Sequence, residues 1–216
     1  LEFVKQYQAD GWRVYACCRK PGNATDLAAL VDGSSGRVSV HALDVADHGA
    51  IDALAKELEG EALDVLLNNA GAFGDRAGFG SSDYDTWTRM FQVNSLGPMK
   101  MAEAFVPHVE RGERKVIASV TSKMGSIGDN TSGSYYIYRS TKAALNMITK
   151  SMALDLGGRG ISAVVLHPGW VKTDMGGMSA PLDPPQSVSG MRKVLSGVSL
   201  ETSGTFFNYD GTTIPW

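Results

Sequence analysis

Cysteine, charge of one sign and long apolar runs are all scarce in this sequence, and each scarcity closes off a class of protein. Only two cysteines occur, Cys17 and Cys18. Neighbours in sequence cannot form an ordinary structural disulfide with each other, which fits a reducing, cytoplasmic compartment. They read as fillers of a buried strand. The 20 basic and 23 acidic side chains leave a net charge of only -3 and are scattered, so no Lys/Arg cluster marks a surface for a nucleic-acid backbone or anionic lipid. No apolar run approaches the roughly 20 residues needed to cross a bilayer. The opening LEFVKQYQADG has no basic n-region, apolar h-region or small-residue cleavage site. Nucleic acid and membrane are therefore not expected partners.

Internal repeats and dividing linkers are missing too. With 216 residues, 43% of them hydrophobic, the chain suits one domain whose core needs no staples. Helical spacing over Glu2 to Gln8 stops at Asp10-Gly11, and a short apolar run follows from Arg13 to Cys18. Strands are expected at 37–43 and 63–67, with a helix over 51–58 between them. A long helix should cover 84–109, then a strand 115–120, a helix 135–156 and a strand 161–166. Unalternated apolar strands between helices predict a doubly wound α/β fold, Rossmann-like, with a parallel sheet covered on both faces. Pro181, Pro184 and Pro185 fall in a segment that reads as a loop leading to a helix near 186–196.

The segment Tyr138-Arg139-Ser140-Thr141-Lys142 carries the chemistry. Residues four apart share a helix face, so a phenol and an ammonium point the same way. A nearby ammonium favours phenolate and lowers a tyrosine pKa, which brings proton transfer toward neutral pH. Of the tyrosines at 135, 136 and 138, only Tyr138 has Lys four residues on. Such a pair alone is an ordinary solvated helix face; its context is not. Ser119-Val120-Thr121-Ser122, Asn68-Asn69-Ala70-Gly71 and Pro168-Gly169 each follow a predicted strand, where parallel sheets present ligands. Asn94 lies inside the long helix.

With NNAG at 68–71, VNSLG at 93–97, TS at 121–122, YRSTK at 138–142 and HPGWVKTDM at 167–175, the chain resembles the short-chain dehydrogenase/reductase family over nearly its whole length. SKMGSIGDNTSG before the tyrosine, and the ending 204–216, are similar to the branch of C-factor and sniffer-type carbonyl reductases. The resemblance implies an oxidoreductase that moves a hydride between NADP(H) and a carbonyl or alcohol substrate, with no metal. Tyr138 would be the general acid/base. Ser122 would hold the reacting oxygen, Lys142 the nicotinamide ribose, and Asn94 a water linking Lys142 to solvent. Asn69, Ala70 and Gly71 would line the adenosine side, and Asp44-Val45 the adenine. Val171 and Thr173, after Pro168-Gly169, would meet the carboxamide.

Each role has a plain structural rival. Asn94 could satisfy backbone groups at a helix irregularity, Ser122 could cap a strand end, and Asp44 could cap the next helix. Ser119 and Thr121 remain substitutes for Ser122, because the stretch from Ser122 to Tyr138 exceeds the common family pattern by about three residues and must bulge around Gly125, Gly128 and Gly133. His167 reads as a packed strand-end residue. The family's strand end decides between coenzymes: an acid binds a ribose 2′-hydroxyl and an arginine suits a 2′-phosphate. Here Arg19-Lys20 favours NADP, with NAD as the alternative. Association as a homodimer or homotetramer through two long helices is a family expectation. A fold-retaining signalling protein of the C-factor kind is the rival function.

The family's opening strand and TGxxxGxG turn, which seats a pyrophosphate on a helix N-terminus, do not occur in this sequence. That strand would lie mid-sheet, between the strands at 13–18 and 63–67, so the sheet should be split with two unpaired edges. The natural polypeptide is expected to be longer by about 15 residues, one strand plus one loop.

Overall fold

Apolar strands alternate with amphipathic helices throughout the computed structural model, which describes residues 1–74 and 78–216. Helix α1 (Glu2–Ala9) leads to β1 (Val14–Cys18), α2 (Thr25–Asp32), β2 (Val38–Ala42), α3 (His48–Glu57) and β3 (Val65–Asn68). Then come α4 (Tyr84–Phe91), α5 (Gly97–Arg111), β4 (Val116–Val120), α6 (Tyr136–Leu156), β5 (Ser162–His167), α7 (Pro184–Ser196) and β6 (Phe206–Asn208). Every strand pairing is parallel. The fold is a doubly wound, Rossmann-like α/β domain.

Alternation along the strands sends side chains to two helical layers. From β4, Ile117 packs with Ile51, Phe105, Val109 and Ile161 beneath α3, α5 and α6, while Val116 and Ala118 face Val188, Met191 and Leu195 of α7. Each fully buried aliphatic side chain contributes about 1.5–3 kcal/mol. The first helix joins the α7 layer. Arg192 of α7 lies over the Tyr7 ring at 4.4 Å and pairs with Asp10.

The predicted helix 84–109 contains an irregularity. Between α4 and α5 the chain makes a π turn over Gln92–Leu96, the widened kind of helical turn frequent at functional sites. At its end Gly97 runs so close to Val45 that a Cβ would stand 2.6 Å from the Val45 carbonyl oxygen. The prolines at 184 and 185 begin α7 instead of preceding it, because the first helical positions have no backbone partner to lose. Helix α2 and strand β6 are additions to the elements read from sequence.

The sheet is split as expected. One part is β1–β2, the other β3-β4-β5-β6. Between β1 and β3 lies a slot of about 1310 Å³. Its walls include Val14 to Cys18 on one side and Val65 to Asn68 on the other, with Leu54 and Phe105 below. The cysteines depart from the sequence reading: Cys17 is exposed and Cys18 only half-buried, because β1 has a partner on one edge alone and its other edge borders the slot. Among the described residues no helix is long and apolar enough to cross a membrane.

Backbone groups on the slot edges of β1 and β3 have no ladder partner, whereas β4 is paired on both sides. In native-state hydrogen exchange the slot-edge amides of β1 and β3 are expected to exchange far faster than those of β4. Equal protection across all three strands would mean that the slot is closed in solution.

Candidate active site

Helix α6 sets the geometry. Tyr138 and Lys142 stand one turn apart on its inner face, 6% and 3% exposed. The Lys142 ammonium lies 5.9 Å from the centre of the Tyr138 ring and donates to the Val120 carbonyl at the end of β4 (2.9 Å). Ser122 follows directly. Its Oγ accepts from the Met124 N–H (3.1 Å), so the strand-end capping role is present. The two substitutes are occupied elsewhere: Ser119 Oγ accepts from Asn68 Nδ2 (3.4 Å), and Thr121 Oγ1 donates to Asn146 Oδ1 (2.7 Å). Of the three hydroxyls, the one beside Tyr138 is Ser122.

Titration differs from the sequence reading in an instructive way. Burial raises the Tyr138 pKa, and the opposing influence comes from the Ser122 hydroxyl, not from Lys142. The ammonium is engaged by a backbone carbonyl, and its own burial pushes it down to about 8. Desolvation disfavours both charged forms at once. Burial thus raises Tyr138 and lowers Lys142, while a lysine at about 8 still carries its proton near neutral pH.

Asn94 sits in the π turn. It accepts from the Ala72 N–H (2.8 Å) and donates to the Ala72 carbonyl (2.9 Å) and to Thr141 Oγ1 (3.0 Å). It thus pins the segment after β3 to α6, the backbone-satisfying role; no hydrogen bond joins it to Lys142. The two do converge on Gly71, where a Cβ would stand 3.4 Å from Lys142 Nζ and 3.5 Å from Asn94 Oδ1.

Arg19, Asp44, Val45, Asn69, Ala70 and Gly71 all line the slot between β1 and β3. Arg19 is exposed at its rim. Asp44 Oδ1 accepts from the Ala46 N–H (3.0 Å), a local turn. The cap of α3 is Asp47. The turn after β5 lies elsewhere. Ser187 Oγ donates to the Pro168 carbonyl (2.6 Å), and Gly169 has φ +80 with Leu182 and Tyr209 packed where a Cβ would be. Val171 bridges to Leu182, and Thr173 Oγ1 accepts from the Gly176 N–H (3.1 Å). These residues belong to the segment that carries Met175, whose sulfur lies 3.9 Å from the Tyr138 hydroxyl.

The long connection from Ser122 to Tyr138 is absorbed by a left-handed run, Gly133, Ser134 and Tyr135, at φ 64, 54 and 54. Two of these are not glycine, an uncommon and costly arrangement. Arg139, unremarked in the sequence reading, holds it by donating to the Gly133 and Met124 carbonyls and to Ser132 Oγ. Phe73, also missed, packs against Tyr138 with ring centres 4.6 Å apart and planes tilted by 44°. No spacing rule pointed to either.

A family model described as short chain dehydrogenase matches residues 1–181. The chain belongs to that family. Among curated relatives of this short-chain dehydrogenase is C-signal of Myxococcus xanthus, 49% identical over 154 residues, which are 71% of this chain and 93% of the relative. The carbonyl reductase Sniffer of D. melanogaster is similar in structure, with TM-score 0.93 and 34% identity, covering 100% of this chain and 94% of that one. An NADPH-bound carbonyl reductase from chicken fatty liver has TM-score 0.92 at 32% identity, covering 100% and 93%. These likenesses bear out the reading of a C-factor and sniffer-like short-chain dehydrogenase.

The Lys142 proton is bound less readily by the folded protein than by the unfolded chain. Between pH about 8 and 10.5 the unfolded state therefore holds more protons and stability rises with pH. Below that window the full penalty, on the order of 3 kcal/mol, is present. Urea midpoints of wild type and Lys142→Met, measured across that range, are expected to differ in slope, the wild type gaining stability relative to the variant as pH rises. Parallel curves would show Lys142 to be solvated.

Proposed function

We propose that this short-chain dehydrogenase is an NADP(H)-dependent carbonyl reductase or alcohol dehydrogenase, with Tyr138 moving the proton. The observation that carries the reading is the convergence of Tyr138, Ser122 and Lys142 between the slot and Met175. Bound at the mouth of the slot, past the ends of β1, β2 and β3 where Arg19, Asp44 and Gly71 stand, the coenzyme would supply or accept the hydride. Tyr138 Oη gives its proton to the carbonyl oxygen in reduction and takes it back in oxidation. Ser122 Oγ hydrogen-bonds the same oxygen and stabilises the charge developing there. Lys142 has one acceptor, Val120, among the described residues, and its remaining N–H groups suit ribose hydroxyls. With a substrate oxygen in place of the Met175 sulfur, the ammonium 5.9 Å from the ring favours phenolate at the moment the proton leaves.

The residues fit this coenzyme at its two riboses. Gly71 leaves open space beside Lys142 and Asn94 that a Cβ would fill. Arg19 at the slot rim, with Lys20 and no acid beside it, suits a 2′-phosphate, and the NADPH-bound chicken relative supports that preference. Asp44 and Val45 suit the adenine, and Val171 and Thr173 the carboxamide. A pyrophosphate cradle asks for more: the two unpaired edges of the slot would be satisfied by a further parallel strand ending in a glycine turn. Such a strand completes the domain in this reading.

The intact tyrosine, lysine and serine favour an enzyme over a signalling scaffold. A reducing, cytoplasmic setting agrees with the two unbridged cysteines. Exposed Leu96, Met147 and Leu154, on the π turn and α6, support pairing of copies through the long helices as a homodimer or homotetramer.

Tryptophan-to-NADPH energy transfer, with NADPH oxidation by ketones as the second readout, tests the reading on this chain and on one extended by a strand and TGxxxGxG turn. Tyr138→Phe is expected to cut turnover by about 10²–10⁴ while NADPH still binds. Retained turnover in that variant would end the assignment of Tyr138. Arg19→Ala should weaken NADPH binding about tenfold and leave NADH binding as it was; equal loss of both would make Arg19 a bystander.

A further inference from the structure

The sulfur of Met175 touches the Tyr138 hydroxyl, at 3.9 Å, and no step of the reduction uses it. Its place is set by the backbone around it. Trp170 Nε1 donates to the Gly176 carbonyl (2.8 Å), and Thr173 accepts the Gly176 N–H on its Oγ1 (3.1 Å) and the Gly177 N–H on its carbonyl (2.8 Å). The turn is so tight that a Cβ on Gly176 would stand 2.0 Å from the Val171 carbonyl oxygen. At its base the Lys172 N–H donates to the Leu182 carbonyl (2.9 Å) and the Leu182 N–H to the Trp170 carbonyl (3.2 Å). Met175 thus swings a flexible, unbranched thioether from a stem held in place beside the phenol.

The two ends of this contact differ in their access to water: Tyr138 is 6% exposed and Met175 46%. A dissolved oxidant reaches the side chain that carries the sulfur, while the phenol stays sheltered. With hydrogen peroxide the step balances. A sulfur lone pair attacks one peroxide oxygen and the O–O bond breaks; that oxygen becomes S=O, its proton passes to the departing hydroxide, and water leaves. Sulfur is oxidised by two electrons and the peroxide reduced by two. A weak thioether acceptor becomes a strongly polar one. Oxygen added on the lone pair that faces the phenol lies between sulfur and hydroxyl, so the 3.9 Å gap closes to the about 2.5–3.0 Å of an O–H···O hydrogen bond. Held there, the sulfoxide oxygen offers Tyr138 the same acceptor that a ketone oxygen would, with the neighbouring Ser122 hydroxyl as a second donor.

We propose that Met175 is an oxidation site through which peroxides close the carbonyl pocket: as its sulfoxide, this side chain takes the acceptor position at Tyr138 and competes with substrate. The proposal rests on the carbonyl-reductase reading and adds a regulation of that same site. Met147 and Met178 are exposed as well, but among the described residues the sulfur in contact with the Tyr138 hydroxyl is that of Met175. The modification is reversible, since sulfoxide reductases return each epimer to the thioether.

The test applies dilute hydrogen peroxide to the full chain carrying isotope-labelled methionine methyls, with oxidation at Met175 followed by mass spectrometry. In NMR spectra without coenzyme, one Met175 sulfoxide epimer is expected to give a broadened, immobilised methyl signal that Tyr138→Phe returns to a narrow one. In NADPH-dependent reduction of acetophenone, oxidation should raise KM about tenfold, the effect of one hydrogen bond, and leave kcat as it was; the two sulfoxide reductases together should reverse the rise. Met175→Leu takes up no oxygen and keeps both cysteines and every other methionine, so peroxide should not move its KM. Met175→Gln sets a neutral carbonyl near the sulfoxide position and should show the raised KM before any peroxide is added. An unchanged KM in oxidised wild type, an equal rise in Met175→Leu, or a methyl signal indifferent to Tyr138→Phe would overturn the proposal. Because the methyl signal is read without coenzyme or substrate, a protein that immobilises the sulfoxide yet never oxidises NADPH would overturn the reductase reading and not the Met175 contact.

Discussion

A charged side chain sealed from water must find its partners within the protein, and Lys142 finds the Val120 carbonyl at the end of β4. That one contact ties α6 to the sheet at the point where Ser122 emerges, and it fixes where Tyr138, one turn earlier, can stand. The neighbouring pieces follow from it. A Cβ on Gly71 would stand in ordinary van der Waals contact with Lys142 Nζ and Asn94 Oδ1. Gly125 must lack a side chain because the 3₁₀ turn after Ser122 runs against the Lys142 backbone, where a Cβ would come within 2.8 Å. An ammonium with a single backbone acceptor among the described residues is poorly solvated, and burial accordingly lowers its pKa.

Much of this was legible in the sequence. Strands β3, β4 and β5 are unalternated apolar runs, and a strand buried on both faces can read no other way. The four-residue interval from Tyr138 to Lys142 survives any small error in helix boundaries, since both lie well inside α6. The split of the sheet was also predictable, because strand order follows from the fold class. What escaped were short or context-made elements. Helix α2 has eight residues, only one of them buried, too faint a periodicity to register. Strand β6 is three residues long. The π turn at Asn94 arises from contacts with Ala72 and Thr141, far away in sequence, which no local pattern encodes.

The expectation for Tyr138 failed for a physical reason worth separating from the rest. Spacing on a helix tells which side chains share a face, but not how much water reaches them. Here burial dominates the titration of both groups and the ammonium is turned to a carbonyl. Electrostatic help from Lys142 thus depends on what occupies the site. The bulge before Tyr138 was likewise foreseen, but its form was not: two non-glycine residues in left-handed backbone, held by Arg139, are a tertiary solution to an excess of chain.

The division of the sheet has a mechanical consequence. Strands β1 and β2, with α2, enclose their own small nucleus of Ala16, Leu27 and Val38, while Tyr138, Lys142 and Ser122 ride on the larger plate of β3 to β6. Arg19 stands on the first plate and Gly71 on the second, on opposite banks of one channel. An elongated molecule gripped at both ends would join these two plates, alongside any strand that fills the gap between them. Its affinity would then report how firmly the plates are docked as much as how well each end is recognised, and tightening the joint at a distance would sharpen binding without touching a single contact to the guest.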